Sequence, residues 1–300
     1  MPQIDIILNP TVGDGREGNL AQRLKTLFRD HDMTAYIRET QKGEDTSKLV
    51  LDCQNKTIVA AGGDGTVSAV AGALAETDKS LGVLPLGTLN HFAKDLKIPL
   101  DINEAIETVT SGQTIRVDAA EVNGHLFINN SSFGLYPEVV HGRELHERLG
   151  HGKWNSLLRS AIRVFQRYPV FVVRIDSNDE RIVTSTPFVF IGNNEYEIEG
   201  LNIGKRQALN KGKLAVYTTR RTGRLSLFRI AIRALFGRLR QEKDFVNFLT
   251  DEVTIETPRR LVRVAMDGEV AMLETPLRYR IVPDALRVIV PNAKPNKEAD

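Results

Sequence analysis

A chain of 300 residues is long enough for about two domains. With 41% hydrophobic and 26% charged residues it has the balance of a globular protein that buries full cores. Forty basic side chains stand against 38 acidic ones, which argues against a global nucleic-acid binder and leaves only local charge to read. The single cysteine, Cys53, rules out an internal disulfide framework and is consistent with a reducing, cytoplasmic setting.

The opening "MPQIDIILNP" carries no basic leader, and its apolar run is too short for a signal peptide. No stretch approaches the roughly 20 apolar residues of a membrane span, so a membrane would be visited rather than crossed. "IDIILNP" reads as a buried strand ending in a turn. "EGNLAQRLKTLFRDHD" sets Leu20, Leu24, Leu27 and Phe28 at helical spacing. "TAYIRET" is a short strand, and "DTSKLVLDCQ" a helix with Asp45, Thr46 or Ser47 as its cap. "KTIVAAGGDG" is a strand running into a glycine turn, "TVSAVAGALAET" a helix, "LGVLPLGT" a strand into a second turn. "LNHFAKDL" starts another helix, and "DINEAIETVTSG" a further one with Gly112 near its end. Strands alternating with helices predict a parallel sheet covered on both faces.

From about Thr114 the texture changes. "TIRVDAAEVNGHLFINNSSFG" predicts a hairpin turning at Asn123-Gly124. "FVVRIDSNDERIVTSTPFVFIGNN" predicts another, turning at Ser177 to Asp179. "KLAVYTT", "DEVTIET", "LVRVAMDGEV" and "LRYRIVPDALRVIVP" add strands, with helical pieces near Lys153 to Gln166 and Leu225 to Arg240. The expected fold class is an α/β N-terminal domain with a parallel, three-layered sheet, followed by a mainly β sandwich. The division runs 1–120, 121–291, and a polar tail at 292–300 expected to be disordered.

The glycine turn carries the chemistry. Glycine lets a backbone approach a ligand closely, and a strand–turn–helix offers N–H groups and the positive end of a helix dipole to phosphate. A tight turn alone would explain Gly62, Gly63 and Gly65, but not the carboxylate of Asp64 among them. Next to a phosphate that charge calls for a divalent cation, so the turn reads as a nucleotide phosphate and Mg²⁺ site. The chain has no G-x-x-x-x-G-K-[ST] and no G-x-G-x-x-G after its first strand, which sets it apart from Walker-type and ordinary dinucleotide folds.

"GGDGT" at 62–66, between a strand and a helix, resembles the signature of the diacylglycerol kinase catalytic-domain family, a group of lipid kinases related to sphingosine kinases and more distantly to NAD kinases. "NPTVG" at 9–13, "LPLGTLNHFAKDLKIP" at 84–99 and "MDGE" at 266–269 resemble further family segments, in the family's order. The resemblance implies a nucleotide-binding α/β domain and a β-sandwich that takes the lipid. It implies ATP held by Asn9, Pro10, Thr11, Gly13, Thr40, Gly62, Gly63, Asp64, Gly65, Thr66, Gly87, Thr88 and Asn90. It implies Mg²⁺ held through Asp64 and Asp118, with Glu269 accepting the proton of a lipid hydroxyl. Asp267 is the alternative base, since a β pattern flanks Asp267-Gly268-Glu269 and period two would point both acids the same way. Read alone, the same three residues are a hairpin turn with surface acids.

The chain departs from the family pattern in three places. Ser68 and Ala69 stand where N-E is common, and His91 stands where an aspartate usually joins the metal network. "NKGKL" at 210–214 replaces a metal-binding D-D-G-x-L turn, and Lys211 and Lys213 put positive charge there, so no structural metal is expected. Two stretches, 220–245 and 146–169, interleave arginines with apolar residues and suit an anionic membrane surface, though either could pack on the sandwich instead. Trp154 reads as a core or interface residue. His141, His146 and His151 lie five apart and share no helix face, so they do not read as a metal site. The sequence thus points to an ATP-dependent phosphotransferase acting on a lipid hydroxyl, diacylglycerol-like, cytoplasmic and transiently at the inner membrane surface. Its partners are ATP and a membrane lipid, with no nucleic acid and no transmembrane span. Oligomeric state is open between a monomer and a homodimer. A soluble-substrate kinase of the NAD kinase type and a non-catalytic nucleotide or lipid binder are the competing readings.

Overall fold

The computed structural model describes residues 1–11, 20–41, 43–134, 170–178, 180–199, 202–206, 208–219 and 245–292. The elements run, in order, β1 (Gln3–Leu8), α1 (Leu20–Asp30), β2 (Thr34–Glu39), α2 (Thr46–Leu51), β3 (Thr57–Gly62), α3 (Asp64–Leu74), β4 (Ser80–Pro85), α4 (His91–Asp95), α5 (Ile102–Ser111) and β5 (Gln113–Val122). They continue with β6 (His125–Phe127), β7 (Asn130–Gly134), β8 (Phe171–Ser177), β9 (Arg181–Thr186), β10 (Phe188–Asn193), β11 (Tyr196–Glu199), β12 (Asn202–Arg206) and β13 (Leu214–Thr219). The last are β14 (Phe245–Thr250), β15 (Glu252–Glu256), β16 (Leu261–Met266), β17 (Glu269–Glu274) and β18 (Leu277–Val290). The chain divides into two compact units, Met1–Ala119 with Val282–Asp300, and Ala120–Ile281.

In the first unit β2, β1, β3 and β4 form a parallel sheet in that order, and the end of β18 adds to it in parallel, Arg287 opposite Ser80 and Val288 opposite Leu81. The inner strands β1, β3 and β4 are buried almost throughout because both faces are covered, whereas β2 at the edge is not. Ile4, Ile6, Leu8, Val59, Ala61 and Leu84 pack with Leu24 and Phe28 of α1 and with Ala105, Ile106 and Val109 of α5. α3 lies against β3 and β4 together with α2, burying Val67, Val70, Ala71 and Leu74. Helix starts follow local chemistry: Asp45 caps α2 by accepting from Ser47 N at 3.0 Å, and Asp101 caps α5 by accepting from Asn103 N and Glu104 N at 2.9 and 3.1 Å. α3 begins at Asp64, two residues earlier than its apolar pattern suggests, so the acidic residue is helical.

The second unit holds a six-stranded antiparallel sheet, β14-β13-β10-β7-β16-β17, and a second sheet in which the first residues of β18 pair with β15, β15 with β8 and β8 with β9. One cluster joins the two: Phe133, Val189, Ile191, Val216 and Val264 from the first with Val173, Ile175, Ile182, Val253 and Ile255 from the second, the interior of a β sandwich. The expected α/β-then-sandwich fold is borne out. The hairpin between β5 and β6 turns at Asn123 (φ 48°) and Gly124 (φ 84°), the left-handed pair that a two-residue turn of this hand requires.

Three features differ from the sequence reading. Residues from Val282 on, assigned there to the sandwich as far as 291, belong to the first unit, because the end of β18 pairs with β4. The ribbon of β11 and β12 and the strand β14 had no strand expected; β14 directly follows an arginine-rich stretch, yet Val246 and Phe248 alternate into the sandwich. Asn292, expected in a disordered tail, donates to Ser111 O at 2.8 Å. The predicted helices near 153–166 and 225–240, the residues 220–244 and 146–169, Trp154, His141, His146, His151 and the tail 293–300 lie outside the described residues.

Candidate active site

The first unit's sheet changes direction between β1 and β3: the chain leaves β1 toward β2 on one side, and β3 lies on the other. Ligands of open parallel sheets bind beyond the strand C-termini at such a switch point. The loops there are tied together by their backbones. Asn9 N donates to Ala61 O at 2.9 Å, Thr40 N to Leu8 O at 2.8 Å, and Leu86 N to Gly62 O at 2.9 Å. Asn9, Pro10, Thr11, Thr40, Gly62 to Thr66 and Gly87 to Asn90 therefore leave four neighbouring strand ends, as their assignment to one nucleotide site requires. Gly13 lies outside the described residues.

Side chains hold the first loop. Asn9 Oδ1 accepts from Thr11 N at 3.0 Å and from Thr11 Oγ1 at 2.7 Å, while Asn9 Nδ2 donates to Thr66 Oγ1 at 3.3 Å. Glycine is needed for close approach rather than for unusual torsions. A Cβ on Gly87 would lie 2.5 Å from Gly63 Cα, and one on Gly62 would lie 2.4 Å from Thr66 Oγ1. The glycine turn after β3 and the loop after β4 are thus in backbone contact. The cradle that results opens on the first turn of α3, whose N–H groups have no intrahelical acceptors.

Asp64 is the first residue of α3, and its Oδ1 accepts from His91 N at 2.8 Å. α4 lacks its own side-chain cap because Asn90, left-handed at φ 51° and buried, is used elsewhere. Asn90 Oδ1 accepts from Gly87 N at 3.1 Å, and its Nδ2 donates to Gly87 O and Pro85 O at 2.7 and 3.2 Å. Asp64 supplies the missing cap. Residue 91 therefore meets the acid through its backbone, which any residue provides, and not through the imidazole. Asp64 Oδ2 has no hydrogen-bond partner among the described residues. Asp118 is buried in β5, and its Oδ1 accepts from Asp284 N at 3.0 Å. Among the described residues no group of three or more His, Cys, Asp or Glu side chains is placed to hold a metal ion.

In the second unit the two acids of Asp267-Gly268-Glu269 separate. Met266 pairs with Glu269, so Asp267 (φ 49°) and Gly268 (φ 91°) are the two central residues of a hairpin turn. Period two does not apply across such a turn, which corrects the expectation that both acids point the same way off one strand. The Asp267 carboxylate turns back and accepts three backbone bonds, from Ile128 N at 2.8 Å and from Asn129 N and Asn130 N at 2.8 and 3.0 Å. Glu269 is exposed at the start of β17.

Behind Asp267 stands a network the sequence reading missed. Buried Arg206 donates to Ile128 O at 2.6 Å, to Asn193 O at 3.1 Å and to Asn129 Oδ1 at 2.7 Å, and it lies 5.4 Å from the Tyr196 ring centre. Asn193 Nδ2 donates to Ile128 O at 2.8 Å, and Tyr196 Oη to Asn129 O at 3.0 Å. The available signal was the pair of doublets Asn129-Asn130 and Asn193-Asn194, polar side chains beside strands that otherwise read as core. In the 210–214 turn Lys211 N donates to Asn194 Oδ1 at 3.0 Å, and Lys213 Nζ lies 2.7 Å from Asp251 Oδ1.

Residues 3–122 match the diacylglycerol kinase catalytic domain, and residues 144–290 match the YegS C-terminal NAD kinase beta sandwich-like domain. The chain carries a diacylglycerol kinase catalytic domain. Curated proteins similar to this chain include the probable lipid kinases YegS-like of Yersinia pestis (strain Pestoides F) and Yersinia pseudotuberculosis serotype O:1b (strain IP 31758). Each is 37% identical over 148 residues, which is 47% of this chain and 49% of the relative, so the match spans about half the length of either. A crystal structure of a diacylglycerol kinase from Bacillus anthracis str. Sterne has the same fold, with a TM-score of 0.69 at 22% identity and 96% of both chains covered. Two further solved chains from that organism give TM-scores of 0.73 and 0.71 at 23% and 25% identity, again over 96% of both chains.

Proposed function

We propose that this protein is an ATP-dependent lipid kinase that transfers the γ-phosphoryl group to the hydroxyl of a diacylglycerol-like lipid. The observation that carries the reading is Asp64: a carboxylate with one oxygen unpartnered among the described residues, set in a glycine cradle at the switch point of the parallel sheet. Phosphate suits the cradle, and one or two carboxylates completed by water and phosphate oxygens are the environment Mg²⁺ prefers. When bound, Mg²⁺·ATP supplies the phosphoryl group and neutralises its charge. Asn9, Pro10, Thr11, Thr40, Gly62 to Thr66, Gly87, Thr88 and Asn90 would hold the nucleotide, with Asp64 and Asp118 as the acids that would hold the metal. Gly13 is assigned to the same site from its motif. Glu269 takes the proton of the attacking hydroxyl as the new O–P bond forms, the bond to the β-phosphate breaks and ADP departs; the proton then passes to water. The protein would meet its substrate at the inner membrane surface from the cytoplasm. No described helix is long and apolar enough to cross a membrane.

The match of residues 144–290 to a sandwich named after NAD kinase keeps a soluble acceptor as the second reading. Incubation with γ-labelled ATP and Mg²⁺, offered either a membrane lipid extract or NAD, separates the two. Label in the lipid phase is expected, and label in NAD would overturn the lipid reading. Asp64→Asn is expected to abolish transfer while leaving the melting temperature nearly unchanged. Undiminished transfer by that variant would remove Asp64 from the metal.

A further inference from the structure

Among the described residues β17 is an edge strand of the six-stranded sheet, paired with β16 alone. The hairpin's inner side is spent on the core: Val264 and Leu273 are buried there, and Val262, Met266 and Ala271 pack against the same cluster. Its outer side is unusual. Leu261, Val270 and Met272 are 50%, 52% and 58% exposed. The register sets Arg263 opposite Met272 and Leu261 opposite Glu274, so these side chains share one face. Exposed Arg259 and Arg260 precede β16. Arg260 pairs with Glu274 at 3.2 Å, but the guanidinium groups of Arg259 and Arg263 meet no carboxylate among the described residues.

The edge formed by β8 and β9 offers a contrast in the same unit. Val172 and Val183 are also exposed there. Arg174, however, is paired with Glu256, and Arg181 with Asp176, so the arginines described on that face are neutralised. An apolar edge left open invites a partner, and spare cations among apolar side chains select one that is greasy and negative.

We infer that the outer face of the β16–β17 hairpin is a docking surface for an anionic phospholipid bilayer, with Leu261, Val270 and Met272 entering the interface and Arg259 and Arg263 meeting lipid phosphates. The inference rests on the lipid-kinase reading for its purpose and on the hairpin for its evidence. Glu269 has the opposite strand parity to Val270, so the docking side and the reacting acid sit on opposite sides of one ribbon. The face anchors the protein and leaves Glu269 to the substrate.

The test is co-sedimentation of the full chain with phosphatidylcholine vesicles and with vesicles that also contain phosphatidylglycerol. Wild-type protein binds the anionic vesicles and is released by salt. Arg259→Ala and Arg263→Ala each weaken binding about fivefold, and Val270→Ser with Met272→Ser weakens it on both vesicle types. All four positions are exposed, so melting temperatures are unchanged. Phosphorylation of diacylglycerol in detergent micelles, which needs no docking, stays at the wild-type rate. Vesicle binding that is unchanged in these variants overturns the proposal. So does a wild-type dimer that the same substitutions dissociate, which would make the face an interface between copies. Arginine-dependent vesicle binding by a protein that phosphorylates no micellar lipid would keep the docking surface and discard the kinase reading.

Discussion

Asp267 and Glu269 are two residues apart and have opposite surroundings. Three backbone N–H groups converge on Asp267, a use that demands both carboxylate oxygens. An amide in its place keeps one oxygen and turns its NH₂ toward at least one N–H donor. Asp267→Asn is therefore expected to cost about 1–3 kcal/mol of stability, read as a lower melting temperature. Glu269→Gln should leave the melting temperature alone and lower kcat by about 10²–10⁴ with little change in ATP affinity. Full activity of Glu269→Gln would end its role as base. The sequence could not separate the two acids, because the deciding donors at 128–130 are over a hundred residues away. It could place Asp64 in a phosphate turn, since the strand, the glycines and the helix that build that site are contiguous. Cys53 illustrates the same limit. Burial, with the nearby Asp5 carboxylate, pushes its thiol from the ordinary 9.0 up to about 11. The unfolded chain loses that proton first, so Cys53 should cost stability as pH rises from 9.0 toward 11. Wild type should lose stability more steeply than Cys53→Ala across that window in denaturant melts; parallel slopes would refute the shift.

Among the elements, those of the first unit were legible because strand and helix periods alternate there, with Asp45 readable as a cap for α2, where it accepts from Ser47 N. The strands missed, β11, β12 and β14, are short or border charged sequence, and tertiary pairing decided them. The turn at 210–214 shows how an element can change its means of support. Asn194 Oδ1 holds the backbone at Lys211, and Lys213 reaches Asp251, so a backbone donor and a cation take up the turn from which no structural metal is expected on its sequence. A chelator should therefore leave the melting temperature of the nucleotide-free protein unmoved. Breaking the pair with Asp251→Asn should cost only about 0–1 kcal/mol, since both partners are half exposed. A fall of several degrees with chelator would show that the turn binds a divalent ion despite its lysines.

At the scale of the whole molecule the order of the chain matters. The first unit is not a continuous segment: Val282 to Val290 return to it after the entire sandwich has been made, and Arg287 and Val288 pair along β4. Composition and local pattern hid this, because the end of one unit and the return to the other share a single continuous strand, the 14 residues of β18. The consequence is testable. A fragment ending at residue 119 lacks the strand beside β4 and leaves that strand's inner edge unpaired. It also loses the partners of Glu76, whose N–H donates to Ala285 O at 2.8 Å, and of Asp118, which accepts from Asp284 N. Parallel sheets tolerate open, apolar edges poorly. The fragment is expected to aggregate or to melt without cooperativity by circular dichroism. Joining residues 282–292 to it through a flexible glycine-serine linker should restore a cooperative transition, because loop-closure entropy grows slowly with linker length. A fragment of 1–119 that folds cooperatively alone would show that the returning strand is an attachment to the first unit rather than part of its core.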